Sequence, residues 1–124
     1  MSKKAIALLG SPLLEGNTAR LLNEAIRGAE DAGCEVEKIA VAHLDFAPCM
    51  EIFYCMENET CRIKDDMIEI YDKFREMDGL ILATPVMTMG IPGKLKAFID
   101  RFQVFYMAKY YRGKSFIAPE RRRG

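Results

Sequence analysis

Hydrophobic positions in the first part of the chain follow two different spacings. Residues 5–9 form an unbroken apolar run, which is typical of a strand buried on both faces of a parallel sheet. From residue 18 to residue 32 apolar side chains recur at helical spacing, and Gly33 suits the end of that helix. A second strand is predicted over residues 36–41. The chain therefore begins with a strand, a helix and a second strand.

The same alternation continues through the second half. A helix is predicted over residues 65–77, and another apolar strand over residues 79–85. A third helix is predicted over residues 92–111, with an apolar stripe wider than packing on one sheet requires. Residues 114–118 are predicted as a fourth strand.

This order of elements predicts an α/β fold: a doubly wound parallel sheet of the flavodoxin type in three α/β/α layers, with about four strands in the order 2-1-3-4. Two of the strands, over residues 5–9 and 79–85, are apolar runs without polar alternation, so we expect helices to cover both faces of the sheet. With 124 residues, half of them hydrophobic, the chain is expected to be a single globular domain over residues 1–124.

Two loops are expected to meet at the switch point of this sheet, where ligands bind beyond the carboxyl ends of the first and third strands. The first, residues 10–18, joins a strand to a helix start, whose amides lack intrahelical partners and favour an anion. It fits neither the ATP-type phosphate loop nor the dinucleotide glycine pattern. On these residues alone it is equally an ordinary connection in which Asn17 only caps the helix.

The second loop, residues 84–91, combines backbone amides with apolar side chains that could lie against a flat ring. Flavin mononucleotide (FMN) has both a phosphate and a planar ring. The pair of loops therefore predicts an FMN site.

Charge and composition narrow the class of protein further. Basic and acidic residues balance at 18 each, which argues against nucleic acid or an anionic membrane as a partner. The sequence has no apolar stretch of membrane-spanning length and starts directly with a strand, so a cytoplasmic protein is expected. Four cysteines in such a chain favour reduced thiols, metal ligands or redox chemistry over a disulfide framework.

Six short segments occur along the chain in a recognisable order and spacing. They are Gly10-Ser11-Pro12, Gly16-Asn17-Thr18, Pro48-Cys49, Ile63-Lys64-Asp65-Asp66-Met67, Thr84-Pro85-Val86 and Leu95-Lys96-Ala97-Phe98-Ile99-Asp100-Arg101. Together they resemble the NADPH-dependent FMN reductase superfamily, particularly its iron–sulfur flavoprotein branch. The resemblance implies a flavin oxidoreductase that takes electrons from NAD(P)H or another reduced carrier and passes them to a small-molecule or protein acceptor.

The resemblance also implies which residues hold the cofactor. The phosphate would be bound by Ser11, Pro12, Gly16, Asn17 and Thr18, and the ring would be bordered by Pro85, Val86, Met87, Thr88 and Gly90. Similar proteins often have arginine at the position of Leu13 and aromatic residues near Met87 and Thr88. No catalytic residue is assigned, because the reactive atom belongs to the flavin.

The long connection over residues 42–64 departs from this family pattern. Relatives with a four-iron cluster use four cysteines, C-x2-C-x2-C and a fourth a few residues on, and alignment places Cys49, Cys55 and Cys61 on three of these positions. Ile52 stands at the second position and cannot bind iron, so a fully cysteine-ligated cluster is not expected. A three-cysteine cluster with an outside ligand, a thiol pair and purely structural cysteines remain as alternatives, with the last favoured.

The C-terminal segment is the other departure. Residues 114–124 resemble the fourth strand and the start of a flavin-bordering loop, and the resemblance implies a fifth strand and a last helix that this sequence lacks. We therefore expect association into a homo-oligomer through the helix over residues 92–111. A non-enzymatic flavin or electron carrier, or a truncated scaffold with impaired flavin binding, are the alternative functions.

Overall fold

The computed structural model describes residues 2–111, and for Tyr111 only the backbone. In this range the chain forms three strands and five α-helices. The strands are β1 (Lys4–Leu9), β2 (Glu35–Ala40) and β3 (Gly79–Ala83). The helices are α1 (Asn17–Asp31), α2 (Cys55–Asn58), α3 (Met67–Glu76), α4 (Gly93–Asp100) and α5 (Gln103–Tyr111). The fourth strand predicted over residues 114–118 lies outside the described residues.

The three strands form one parallel sheet in the order β2-β1-β3. Ala7 of β1 is paired with Lys38 on one side and Ile81 on the other. This confirms the α/β class and, within the described residues, the predicted strand order. The connection from β2 passes over β1 to reach β3, and this reversal of strand order creates the switch point at which ligands bind in such sheets.

The central strand β1 is the most buried element of the sheet. Its apolar residues 5–9 are all buried, and since alternate side chains point to opposite faces, both faces are covered. On one face Ala7 and Leu9 pack against Ala19 and Leu22 of α1. Cover on both faces was also expected for β3, but there Leu80 and Leu82 are exposed.

The C-terminal end of α1 has the predicted glycine stop. Gly33 has a φ of 91°, in the left-handed region that favours glycine. The N–H groups of Gly33 and Cys34 donate to the carbonyls of Glu30 and Ala29, at 2.9 and 3.0 Å, which satisfies two of the last carbonyls of the helix. The observed helix bounds differ from the predicted ones by a single residue at each end.

The helix predicted over residues 92–111 is wrong as a single element, because the chain forms α4 and α5 with a break at residues 101–102. In a continuous helix the carbonyl of Arg101 would accept from the N–H of Phe105. Instead it accepts from the hydroxyl of Tyr71 at 2.7 Å, and the Phe105 N–H donates to Phe102 at 3.2 Å. Since both α4 and α5 have helical periodicity, the sequence pattern does not register the break.

The described chain divides into two compact units whose segments alternate along the sequence. The first contains the residues up to Leu44 together with Asp72–Lys96, and it carries the sheet and both candidate flavin loops. The second contains Asp45–Tyr71 and the chain from Ala97 onward, and in it Met56 of α2 packs against Met107 of α5. A single domain over residues 1–124 stays a prediction. Within the described residues no helix is both long and apolar enough to cross a bilayer.

Candidate functional site

The loop after β1 ends at a helix start that receives no side-chain cap. Gly16 occupies the N-cap position without a side-chain hydrogen bond, and the first turn of α1 contains no acidic residue. The first backbone bond of the helix runs from the Arg20 N–H to the Gly16 carbonyl at 3.0 Å. The N–H groups of residues 17–19 therefore have no acceptor within the helix, which is the arrangement that favours an anion.

This geometry decides whether Asn17 serves as the N-cap of α1. The residue is the first of α1 rather than its N-cap, so the interpretation of Asn17 as a capping residue is wrong. Its side chain is exposed at the helix start, and that of Thr18 is half-buried. Both lie in the first turn, where an amide or a hydroxyl can add to the backbone donors.

Ser11 shapes the same loop from within. Its side chain is buried, and its Oγ accepts a hydrogen bond from the Leu13 N–H at 3.1 Å. The hydroxyl hydrogen is not used in that bond and can be donated to a ligand. Pro12 is exposed beside it.

Gly10 is required for packing rather than for approach to an anion. A Cβ at this position would lie 2.8 Å from Leu95 Cδ2 and 3.0 Å from the Ala83 carbonyl oxygen. The Gly10 N–H donates to that same carbonyl at 2.8 Å. The two loops therefore leave β1 and β3 side by side, as the sequence predicted.

The loop after β3 closes in a tight turn. The backbone groups of Met87 and Gly90 exchange two hydrogen bonds, at 2.7 and 3.0 Å. Between them Thr88 and Met89 have φ values of 41° and 67°. Two consecutive positive φ angles suit Asn-Gly, and they are costly for a β-branched residue such as threonine.

The side chains of this turn present an apolar surface to solvent. Val86 is 78% exposed and Met89 98%, while Pro85 is half-buried at the base of the loop. A Cβ added to Gly90 would meet no atom within 4 Å, so the backbone there faces open space. The turn thus offers apolar contact and an unobstructed stretch of backbone to a flat ligand.

Among residues 2–111, backbone strain is confined to two loops. The non-glycine residues with positive φ in the described chain are Glu51, Phe53, Glu59, Thr88 and Met89. Three lie in the cysteine-containing connection and two in the turn after β3. Strained conformations of this kind cluster at ligand-binding sites, which makes both loops candidates for function.

The cysteine-containing connection forms a pocket in the second unit. Cys49, Cys55, Cys61 and Ile52 all line it. The side-chain amide of Gln103 donates to Cys49 Sγ at 3.5 Å, and the Ile63 N–H donates to Cys61 Sγ at 3.4 Å. The structure therefore brings the three predicted thiols to one place.

The three thiols are free, and none forms a disulfide. Burial raises the pKa of Cys55 to about 11, a backbone hydrogen bond opposes this, and the nearby Cys49 and Cys61 add to the rise. Cys55 is thus a protonated thiol near neutral pH, which does not suit a nucleophile. Within residues 2–111 no three His, Cys, Asp or Glu side chains converge closely enough to hold a single metal ion.

A buried ion pair fixes the start of this connection. Arg101, 2% exposed, forms a bidentate pair with Asp65 at 2.7 and 3.0 Å. The pair also holds both backbone groups of Ala47: its N–H donates to Asp65 at 3.0 Å, and its carbonyl accepts from Arg101 at 2.7 Å. Ala47 lies two residues before Cys49, so the position of the first thiol depends on this pair.

The ion pair governs the charges of both partners. Burial opposes ionisation of Asp65, but hydrogen bonds from Arg101, Ala47 and Met67 outweigh it and hold the pKa of Asp65 below its usual value. Burial likewise opposes the charge of Arg101, and its bonds with Asp65 raise the pKa of the guanidinium. The Nε of Arg101 is buried and has no hydrogen-bond partner among the described residues. The sequence contained both residues within family-like segments but gave no sign of their pairing.

A doubly wound parallel sheet with an uncapped helix start after β1 and an exposed apolar turn after β3 belongs to the flavodoxin-like class of α/β proteins. A family model described as NADPH-dependent FMN reductase matches residues 3–119. The chain therefore belongs to the NADPH-dependent FMN reductase family, and FMN is the cofactor that this family and its flavoprotein relatives support.

The similar curated proteins are iron–sulfur flavoproteins, which supports the predicted branch. One from Archaeoglobus fulgidus is 35% identical over 115 residues, covering 91% of this chain and 58% of the relative. One from Methanocaldococcus jannaschii is 41% identical over 98 residues, covering 79% and 51%. One from Methanosarcina thermophila is 36% identical over 98 residues, also covering 79% and 51%. The chain thus spans about half the length of these relatives.

Proposed function

We propose that this protein is an FMN-dependent oxidoreductase that takes electrons from NAD(P)H or another reduced donor and passes them to a small-molecule or protein acceptor. One observation carries the proposal: the uncapped start of α1 and the strained apolar turn at residues 87–90 follow neighbouring parallel strands. The first suits a phosphate, the second a planar ring. Flavin mononucleotide combines the two.

In this proposal each loop has its own task. Ser11, Pro12, Gly16, Asn17 and Thr18 hold the phosphate, mainly through the backbone amides at the start of α1. Pro85, Val86, Met87, Thr88 and Gly90 border the ring. With leucine at position 13, the loop itself supplies no cation, so the amide dipoles carry most of the phosphate binding.

Bound flavin supplies the hydride and electron chemistry. The chain's own contribution is to orient the ring and to exclude water from one of its faces. The exposed Val86 and Met89 provide apolar surface for that purpose. Hydride transfer to flavin needs no protein acid or base, so no catalytic residue is proposed.

The test begins with binding. The purified chain is titrated with FMN and, in parallel, with riboflavin, which has the same ring but no phosphate. Tighter binding of FMN supports the phosphate loop, and equal affinity for the two would contradict it.

Oxidation of NADPH or NADH in the presence of FMN then supports the reductase. FMN binding without turnover of either nucleotide favours the electron-carrier alternative, and failure of FMN to raise the melting temperature favours the scaffold.

The names of the relatives raise an iron–sulfur cluster as a second cofactor, which is not favoured for this chain. When bound, such a cluster supplies one-electron transfer. The donor set of this chain fits three of its ligands, Cys49, Cys55 and Cys61, while Ile52 does not fit a fourth. The unpartnered Nε of Arg101 suits an anionic guest, since its N–H lacks an acceptor.

Association into a homo-oligomer and a cytoplasmic location are also part of the proposal. The segment over residues 92–111 exposes large side chains in the second unit, namely Ile99, Tyr106 and Tyr110. Such side chains suit a subunit contact. Light scattering at micromolar concentration tests this, and a monomeric mass would contradict it. Fractionation of expressing cells tests the location.

A further inference from the structure

A third segment of the chain reaches the same edge of the sheet as the two flavin loops. β2 pairs with β1 as far as Leu9 and Ala40, so the chain leaves these two strands side by side. After β2 it forms one short turn of 3-10 helix, Val41–His43, which is anchored by the buried side chain of Val41. The last residue of that turn, His43, therefore lies beside the loop that follows β1.

His43 lines one cleft together with the phosphate loop. The other residues that line this cleft are Pro12, Leu13, Leu14, Glu15 and Gly16. Its free volume is about 600 Å³, within the range of about 300–1,000 Å³ that small-molecule sites occupy. All of these residues belong to the first unit. Since Gly16 is the N-cap of α1, the cleft joins His43 to the helix start at which the phosphate is proposed to bind.

The imidazole of His43 is available to a ligand. It is exposed, and within residues 2–111 it forms no hydrogen bond or ion pair. Among the described residues that line the cleft, His43 is also the only one whose side chain can carry a positive charge. Glu15 adds a negative charge, and leucine stands at position 13. An anion in this cleft therefore has one side chain with which it can pair.

Lys94 holds the segment that carries His43. It lies in the first turn of α4, and its Nζ donates to the carbonyls of Ala42 and Leu44, at 3.0 and 2.6 Å. These two carbonyls flank His43, so the backbone on both sides of the imidazole is tied to the start of α4. The position of His43 is thereby set by the folded chain, which lowers the entropy cost of binding a ligand.

We propose that His43 is a further phosphate-binding residue of the flavin site, whose imidazolium pairs with the FMN phosphate in the shared cleft. Lys94 is a positioning residue, because it acts through the segment that carries the imidazole. The inference rests on the proposed flavin function and adds to it a cation from outside the phosphate loop. Histidine side chains gain their charge as the pH falls through about 6.5, so the contribution of His43 to FMN affinity grows in that direction.

Three other charged residues lie near His43 in the structure or in the sequence. Glu15 lines the cleft, Lys94 holds the flanking carbonyls, and Asp45 follows two residues later in the sequence. Between about pH 6 and pH 8 histidine is the side chain of these types that ordinarily changes its charge. His43 is the only histidine in the sequence. A pH-dependent FMN affinity that requires residue 43 therefore reports the imidazole.

The first experiment compares FMN with riboflavin, which lacks the phosphate, in wild type and H43Q. Glutamine keeps an N–H donor but cannot be charged. At pH 6 we expect H43Q to bind FMN about three- to tenfold more weakly than wild type, and at pH 8 within about twofold. Riboflavin affinity should be the same in both proteins. Equal FMN affinity at pH 6, or an equal loss for riboflavin, would overturn the role of His43.

Two further variants separate a local charge from the net charge of the protein. H43R carries its charge throughout this pH range, so at pH 8 it should bind FMN about three- to tenfold more tightly than wild type. R27Q is the matched control, since it removes an exposed charge in the C-terminal half of α1 and should leave FMN affinity unchanged. An H43R protein that binds no more tightly than wild type at pH 8, or a loss in R27Q equal to that in H43Q, would contradict the proposal.

The positioning role of Lys94 is tested by combining two substitutions. At pH 6, K94M should weaken FMN binding in the wild-type background but change it by less than about twofold in H43Q, because the two residues act as one unit. Equal losses in both backgrounds would show that Lys94 acts without His43. No loss in either would show that the segment does not need this contact, and each of these results would overturn the positioning role.

The same titrations separate this inference from the proposed flavin function. Wild type that binds riboflavin as tightly as FMN contradicts the phosphate site itself. Wild type that prefers FMN, together with an H43Q protein that shows the same preference at pH 6, contradicts only the assignment of His43.

Discussion

The hydroxyl of Tyr71 donates a 2.7 Å hydrogen bond to the backbone carbonyl of Arg101, at the break between α4 and α5. Tyr71 is fully buried, and its ring packs edge-on against Phe102 and Phe105. The bond gives a donor to the Arg101 carbonyl, which in a continuous helix would accept from the Phe105 N–H. A side chain from one segment thereby determines where another segment stops being helical.

Removal of the Tyr71 hydroxyl should lower the stability of the fold at neutral pH. Tyr71→Phe keeps the ring but leaves the Arg101 carbonyl buried without its donor, so we expect the free energy of unfolding to fall by about 1–2 kcal/mol. Urea unfolding of the two proteins measures the difference. Equal stability at neutral pH would contradict the role assigned to the bond.

The difference in stability between wild type and Tyr71→Phe should also depend on pH in the alkaline range. Burial raises the pKa of Tyr71 to about 12, above the value of about 10 in the unfolded chain. A raised folded pKa gives stability that is complete below about pH 10 and is lost as the pH rises towards the folded value. The stability difference between wild type and Tyr71→Phe should therefore shrink from pH 10 upward, and a constant difference would contradict this.

Loss of the ion pair between Asp65 and Arg101 should lower the free energy of unfolding more than loss of the Tyr71 hydroxyl. Asp65→Asn leaves a buried guanidinium without its counter-charge, and breaking a buried pair in this way costs about 3–5 kcal/mol of unfolding free energy. Asp72→Asn is the control, since Asp72 is exposed in its pair with Arg75 and should change stability by less than about 0.5 kcal/mol. Equal effects of the two substitutions on stability would contradict the importance of the buried ion pair.

The acid dependence of Asp65 follows from its lowered pKa. A lowered folded pKa gives stability that is present above the ordinary aspartate pKa, about 3.9, and is lost as the pH falls through the folded value. The stability gap between wild type and Asp65→Asn should be full at pH 6 and should narrow below about pH 4. Urea midpoints measured across this range test the sign, and a gap that widens in acid would refute it.

Gly90 allows a test of where the flavin ring lies. Gly90→Ala meets no protein atom within 4 Å, so it should not disturb the fold, but its methyl group would enter the space proposed for the ring. We expect FMN affinity to fall by about tenfold, equivalent to ~1.4 kcal/mol. Titration of FMN fluorescence measures it.

Gly28→Ala is the matched control for that substitution. Gly28 also has no neighbour within 4 Å, but it lies on an exposed part of α1 away from the two loops. It should raise the free energy of unfolding by about 1 kcal/mol through helix propensity and leave FMN affinity unchanged. Similar affinity losses in both variants would show that Gly90 has no special relation to the ring.

Substitutions in the turn at Thr88 and Met89 should raise stability and weaken FMN binding. Replacing the pair with Asn-Gly suits two positive φ angles and should raise the free energy of unfolding by about 1–2 kcal/mol. The same change removes the exposed Met89 side chain, so FMN affinity should fall. Thermal melting and FMN titration are measured together, and a variant that gains stability without losing affinity would contradict the role of Met89.

Local patterns predicted the parts of this fold that depend on neighbours in sequence. The helix stop at Gly33, the three strands and the two loops at their carboxyl ends all follow from periodicity and turn chemistry. The break at Arg101 does not, because it depends on a hydrogen bond from a residue 30 positions away. Gly10 shows a milder form of this limit, since the sequence placed it in the loop after β1 but the reason for glycine lies in Leu95 and Ala83.

The cysteine pocket was predicted only in part, for a related reason. The spacing of Cys49, Cys55 and Cys61 left a shared site among the alternatives, with purely structural cysteines favoured, and the structure lines one pocket with all three. The pairing of Asp65 with Arg101, 36 residues apart, has no signature in either segment alone. The unpartnered Nε becomes visible only once the partners of the other guanidinium nitrogens are known.

The hold on Ala47 has a consequence for how any guest is bound. Both backbone groups of that residue are fixed before a guest arrives, so the chain entering the pocket has already lost its conformational freedom during folding. The entropy cost of binding then falls on the segment from Met50 to Cys61 alone. Contacts made during folding thus lower the cost of bringing the thiols together, and loss of the ion pair should weaken guest binding even with every cysteine intact.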